Sequence, residues 1–356
     1  MALPQVEIIC TGRLDDRDSS FPQAIQLENG DLLCSFSVGG GPWTTGGSDL
    51  ARSTDGGLNW IWQRTLLPKC EETGATNHLK LSIAADKKTL YAYGCRQRRQ
   101  PGQRFGEFFT EPIFCQSTDQ GLTWSDPSVI PIQREGNFEI SHGILPLRMN
   151  RLLAPAATLL SCDRLGEKVL VGISDDGGKS WPNQAVVFHD PDERLGFFEH
   201  KLAEVSSDLL VAVCWTVTLT GVSDQENHFS FSRDGGITWT PPRSTGMMGQ
   251  TMTPIPLPGG NRLLVLYNRR YGQQGIVMSL VTFAEDSWQV QYEGLLYDAL
   301  NTRQRDDAVD GKEELNTFEF GFPTAIRLDS GEFLATYWAK QGQRFGINWA
   351  RLRVDW

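Results

Sequence analysis

The chain has 356 residues, 40% of them hydrophobic and 21% charged, enough to bury a large core and unlike a disordered tail. Its formal net charge of −10 is the wrong sign for nucleic acid or an anionic membrane, which call for a basic face, so neither is expected as a partner. The apolar run at 209–215 is too short to span a bilayer.

The first sixteen residues show no basic stretch followed by a long apolar one, so no secretory leader is expected. The seven cysteines (Cys10, Cys34, Cys70, Cys95, Cys115, Cys162 and Cys214) are odd in number and contain no C-x-x-C pair. That spacing predicts free thiols in a reducing, cytoplasmic setting, with no disulfide framework and no zinc site.

Two repeats then run along the chain. The first is an apolar strand, a tight turn and a second apolar strand. It occurs at 21–33, 142–153, 200–210, 253–264 and 322–334, with a looser copy at 78–90. The second is the octapeptide S-x-D-x-G-x-x-W, at 53–60, 117–124, 174–181 and 232–239, with starts 64, 57 and 58 residues apart. A decayed copy is Glu285-Asp286-Ser287-Trp288. Ser and Asp side chains bind nearby backbone amides, and Gly takes positive φ, so each octapeptide is expected to be a hairpin turn. A turn repeated in successive units cannot be one active site. Six units of some 50–60 residues, each with signals for four short strands, predict an all-β fold. It is a six-bladed β-propeller of four-stranded antiparallel blades, in one domain spanning 1–356. Residues 6–10 would supply the outer strand of the last blade and close the ring.

The octapeptides and strand motifs resemble the Asp-box (BNR) repeats of the sialidase, or neuraminidase, superfamily, and the resemblance covers nearly the whole chain. It implies glycosidase chemistry in the propeller mouth. It also shows departures. True sialidases grip the substrate carboxylate with three arginines and attack with a tyrosine. Here Ser20 stands at the first arginine, Cys214-Trp215 ends the strand expected to carry the second, and Arg269 or Arg270 matches the third. The tyrosine position falls near Phe322. These differences count against release of sialic acid. The catalytic glutamate of the family matches Glu199.

Residues entering each innermost strand converge on one end of a propeller's axis. Aligned on the strand motif, His78, His142 and His200 share one ring position, and Pro22, Met252 and Pro323 hold it elsewhere. Glutamates preceded by phenylalanine lie close by: Glu139, Glu199 and Glu319, with Asp18 in the first unit. Paired carboxylates can hydrolyse a glycosidic bond when one is held protonated and the other ionised. A separation of roughly 5–5.5 Å would mean retention of configuration and roughly 6.5–9.5 Å inversion. Glu199 with Glu139 or Glu319 is therefore the expected catalytic pair. His78, His142, His200, Arg269, Arg270 and Asp18 are expected to bind substrate, without a cofactor or metal. Exo-arabinanases with this propeller, which use two glutamates, are a closer chemical analogy than sialidases.

Three alternatives follow from the same residues. One is a propeller that binds carbohydrate without turnover, another a polysaccharide lyase using His142 or His200 with a tyrosine, and the last a protein-binding scaffold. Arg104 and Arg344, in the twice-occurring Gly-Gln-Arg-Phe-Gly, read as loop residues, and Arg96, Arg98 and Arg99 as either an anion site or a solvated loop.

Overall fold

Residues 3–133, 136–299 and 318–356 are described by the computed structural model. Every strand–turn–strand motif forms the first two strands of a blade. Blade 1 uses Ser19–Gln26, Leu32–Val38, Ser48–Ser53 and Ile61–Leu67, hydrogen-bonded in that order. Blades 2 to 5 repeat the order from Thr76–Ile83, Asn137–Glu139, Leu195–Ser206 and Gln250–Pro256. In blade 3 the first strand is broken: Asn137–Glu139 and Leu145–Pro146 both pair with Leu152–Ser161. Blade 6 is made of Phe320–Arg327, Phe333–Gln341 and Arg344–Asp355. Its outer strand is Gln5–Asp15, whose pairing starts at Gln5↔Asp355 and Val6↔Val354.

The second strands are buried on both faces, as in Leu32–Val38 and Leu209–Thr218, and so read as continuous apolar runs. The reason is that the core lies between blades rather than in a centre. Six apolar clusters fill the six interfaces, from blades 1 and 2 (Leu33, Leu50, Leu79, Leu81) round to blades 6 and 1 (Trp338, Trp349, Leu32, Phe36). Outer strands such as Ile61–Leu67 stay largely exposed.

The octapeptides turn each chain from third to outer strand. In blade 4, Ser232 Oγ donates to Asp234 Oδ1 at 2.8 Å and accepts from Gly236 N at 2.8 Å. Asp234 also accepts from the amides of Ile237 and Thr238, and Trp239 Nε1 donates back to Gly236 O at 3.1 Å. The copies at 53–60 and 117–124 repeat this pattern, and the copy at 174–181 repeats its Ser and Asp bonds. The decayed copy is a tight turn between Ala284 and Ser287. Ser232→Ala leaves a buried amide without its acceptor. It is expected to cost about 1–3 kcal/mol in urea unfolding while leaving the propeller mouth unaffected; equal stability of the variant would contradict the turn reading.

Candidate active site

First strands of neighbouring blades touch around the axis, so their entering residues share one opening. In four blades the pairing between first and second strand slips at the same place: Ser20/Gln23, Phe198/Lys201, Gln250/Thr253 and Gly321/Thr324. Each slip holds a non-glycine residue in the left-handed region: Phe21 (φ 54°), Glu199 (φ 47°), Thr251 (φ 54°) and Phe322 (φ 51°). All four line one cavity of about 130 Å³. A β-bulge re-aims a side chain, and such backbone costs of order 1 kcal/mol or more per residue. Here it is used four times to aim side chains at one volume.

This device corrects the alignment of the histidines. The residue turned into the cavity in blade 4 is Glu199, not His200, which is 1% exposed and off the cavity wall. In blade 3 it is Ser141, in the break of the first strand, and His142 lies off the wall. Blade 2 has no slip, since Thr76–Ile83 pairs with Leu90–Arg98 in continuous register, and there His78 does line the cavity.

The structure brings Glu139 and Glu199 together. Glu199 N donates to Glu139 Oε2 at 3.1 Å, and Ser141 Oγ donates to Glu139 Oε1. Thr251 Oγ1 donates to Glu199 Oε2. Glu319 is placed elsewhere. The three phenylalanine–glutamate pairs look alike but sit at different offsets: Glu199 is on the slip, Glu139 two residues before Ser141, and Glu319 three before Phe322. Glu319 pairs instead with Lys340 at 3.4 Å, off the cavity, while Phe318 lines it. Asp18 is also outside, accepting Phe345 N at 3.0 Å and holding Gly39 N and Gly41 N on its carbonyl. Arg269 points away, to Glu293 at 2.7 Å. Arg270 lines the cavity, donating to Gln250 Oε1 at 2.7 Å and Phe320 O at 2.6 Å, with Cζ 3.5 Å from the Phe318 ring centroid.

The sequence reading passed over two lysines. Lys80 and Lys201 are 1% and 0% exposed. Lys80 Nζ donates to Ile140 O at 2.6 Å, and Lys201 Nζ to Thr253 Oγ1 at 2.8 Å. Both stand over the Phe322 ring, at 5.3 and 4.0 Å from its centroid. Their signal was present: a lysine inside an apolar innermost strand must be buried, and buried charge demands a reason. Ser20 donates its hydroxyl to Gly41 O at 2.6 Å, and Trp215 packs on Phe198 at 4.3 Å, so neither supplies a charge. Arg96 and Arg104 are paired with Glu111 and Glu107, and Arg344 is exposed; of these loop arginines only Arg99 lines the cavity.

The electrostatics separate the two carboxyls. Burial and the neighbouring Glu199 push Glu139 up to about 7. Burial also raises Glu199, but Thr251, Lys201, Arg270 and Lys80 all favour its charged form. Burial lowers the lysines in turn, Lys80 to about 8 and Lys201 to about 7. Glu139 is thus pushed toward neutrality with another carboxyl beside it, whereas the rise that burial imposes on Glu199 is opposed by surrounding cations. No group of three or more histidine, cysteine, aspartate or glutamate side chains among the described residues is arranged to hold a metal ion.

Residues 230–241, around the fourth octapeptide, match the model of the BNR/Asp-box repeat. Among solved structures, a protein of unknown function from Dyadobacter fermentans superposes with a TM-score of 0.76 at 21% identity, over 98% of this chain and 99% of that one. The NanB sialidase of Streptococcus pneumoniae gives 0.62 at 12% identity, over 98% and 70%. The α-L-arabinanase of Penicillium chrysogenum, complexed with arabinobiose, gives 0.62 at 14% identity, over 98% of both chains. A search of curated proteins gave no match. The repeat at 230–241 is thus of the BNR/Asp-box kind, and the propeller is a fold this chain shares with these structures.

Proposed function

We propose that this chain is an exo-glycoside hydrolase that releases a terminal sugar. Glu139 is its general acid, and Glu199 its nucleophile or base. The observation that carries this reading is the pair of carboxyls in one enclosed cavity, with Glu199 surrounded by cations and Glu139 by a carboxylate. That is the asymmetry a glycosidase needs between its two acids. Catalytic water and substrate would meet Glu199 from the open side, since its other side is taken by Thr251.

The lyase reading loses support because no tyrosine lines the cavity among the described residues, and His142 and His200 lie off its wall. A propeller that binds sugar without turnover retains one supporting observation, the phenyl ring of Phe322 where the superfamily's nucleophile is expected. Incubation with a panel of 4-nitrophenyl glycosides decides between the two. Release of nitrophenol by the native protein and not by Glu199→Gln supports hydrolysis. Calorimetric binding without release supports the second reading.

Thr251 offers a finer test. Thr251→Val keeps shape and backbone demand but removes the donor to Glu199. The Glu199 carboxyl then rises, so the acid limb of kcat/KM, where Glu199 must be ionised, is expected to move to higher pH. kcat should fall about tenfold, and Thr251→Ser should restore both. An unmoved limb in the valine variant would remove Thr251 from the reaction.

A further inference from the structure

The cavity has two chemistries at two depths. Its inner part carries the charged groups, with Glu139, Lys80, Arg270 and Thr251 all buried beside Phe198, Phe322 and Trp338. Its rim is aromatic. Trp43 stands on the short 3-10 turn Gly41–Trp43, and Phe105 and Phe108 on the loop between the second and third strands of blade 2. Trp43 and Phe105 are half-buried, with Phe108 beneath at 5% exposure. The Arg99 guanidinium stacks 4.4 Å from the Trp43 ring and 5.5 Å from that of Phe108, and Phe105 meets Phe108 edge-on at 6.1 Å.

Two polar side chains of this part of the cavity, Arg99 and Thr110, are engaged within the protein. Arg99 Nε and Nη2 both donate to Gln103 O, at 3.1 and 2.9 Å. Thr110 Oγ1 donates to Phe138 O at 2.7 Å and accepts from Phe138 N at 2.8 Å. A second sugar ring would bring hydroxyls that find few partners here, and unmatched polar groups weaken binding. A planar aromatic group asks instead for ring faces, ring edges and the face of a guanidinium, which this rim supplies.

The geometry points to the rim as a leaving-group subsite for an aromatic aglycone, the substrate being an aryl glycoside whose terminal sugar enters the inner part. This rests on the hydrolase reading and adds the substrate class to it. The sugar is held inside by the carboxyls and Arg270, and the aglycone lies across Trp43 and Phe105, from which it departs to solvent.

The test is calorimetry on the Glu199→Gln protein with 4-nitrophenol and with matched methyl and 4-nitrophenyl glycosides, alongside KM values on the native protein. The nitrophenyl member of a cleaved pair is expected to bind about three- to tenfold tighter than the methyl member. Free 4-nitrophenol should compete for that advantage, and Trp43→Ala and, separately, Phe105→Ala should each reduce it at an unchanged melting temperature. Equal affinity within a cleaved pair, or a preference that survives both substitutions, overturns the subsite and leaves the hydrolase reading standing. If no glycoside is cleaved, the hydrolase reading fails. In that case 4-nitrophenol binding that is lost in Trp43→Ala still upholds an aromatic site at the rim, and its absence from the native protein overturns that site too.

Discussion

Glu199→Gln is expected to lower kcat on the order of 10³-fold or more, with the melting temperature unchanged. The amide keeps the length of the carboxylate, still accepts from Thr251, and asks nothing new of a backbone already at φ 47°. What it loses is the negative charge that Lys80, Lys201 and Arg270 favour. Glu139→Gln should fall by a similar factor on substrates with poor leaving groups, and much less on nitrophenyl substrates. Proton donation matters less as the departing group becomes more acidic. That contrast between the two variants is the signature of the assigned roles. If both variants responded identically to leaving-group acidity, the assignment of Glu139 as proton donor would be wrong. Full activity in Glu199→Gln would end the hydrolase proposal.

The second large effect is on stability below neutral pH. His142 and His200 are held near pH 3 by burial, His142 also by Lys201 and by His200 itself, against 6.5 for an ordinary imidazole. The folded state therefore refuses protons that the unfolded chain accepts. The stability these neutral imidazoles contribute is complete above pH 6.5 and is lost as pH falls toward 3, by about 1.4 kcal/mol per pH unit for each imidazole. Glu139 acts with the opposite sign. Its folded value of about 7 lies above the ordinary 4.5, so its protonation favours the folded state as pH falls from 7 to 4.5 and offsets one imidazole there. The steepest loss should thus appear below pH 4.5. His200→Gln should flatten the decline measured by urea unfolding from pH 6.5 to 3. An unchanged slope in that variant would show that His200 does not carry it.

The ring itself was legible because its signals are local and repeated. A Ser–Asp–Gly turn needs only eight residues, and a strand sandwiched between two blades shows itself as an unbroken apolar run. The resemblance to sialidases pointed to Ser20 and Phe322 as uncharged replacements and to Arg269 or Arg270, and the strand alignment to Glu139, Glu199 and His78; Arg270 and these last three line the cavity. The errors have one physical source. A bulge adds a residue to one strand without marking the sequence, and it turns His200 off the wall while Glu199 faces the cavity. Glu319 was lost to the same uncertainty of offset, and Arg269 to a one-residue choice beside Arg270. Lys80 and Lys201 were readable as charges inside apolar strands but carried no motif. Arg99 reaches the cavity from a blade loop whose course no repeat dictates.

The pairing of Gln5–Asp15 with Arg344–Asp355 has a consequence for what completes the cavity. Both proposed acids belong to blades 3 and 4, yet Phe322 and Trp338, opposite them, come from the blade that needs this returning strand. A nascent chain halted before residue 333 would already own every reacting group and still have no chamber to hold a sugar. The chamber therefore depends on the seam where the sixth sheet packs against the first.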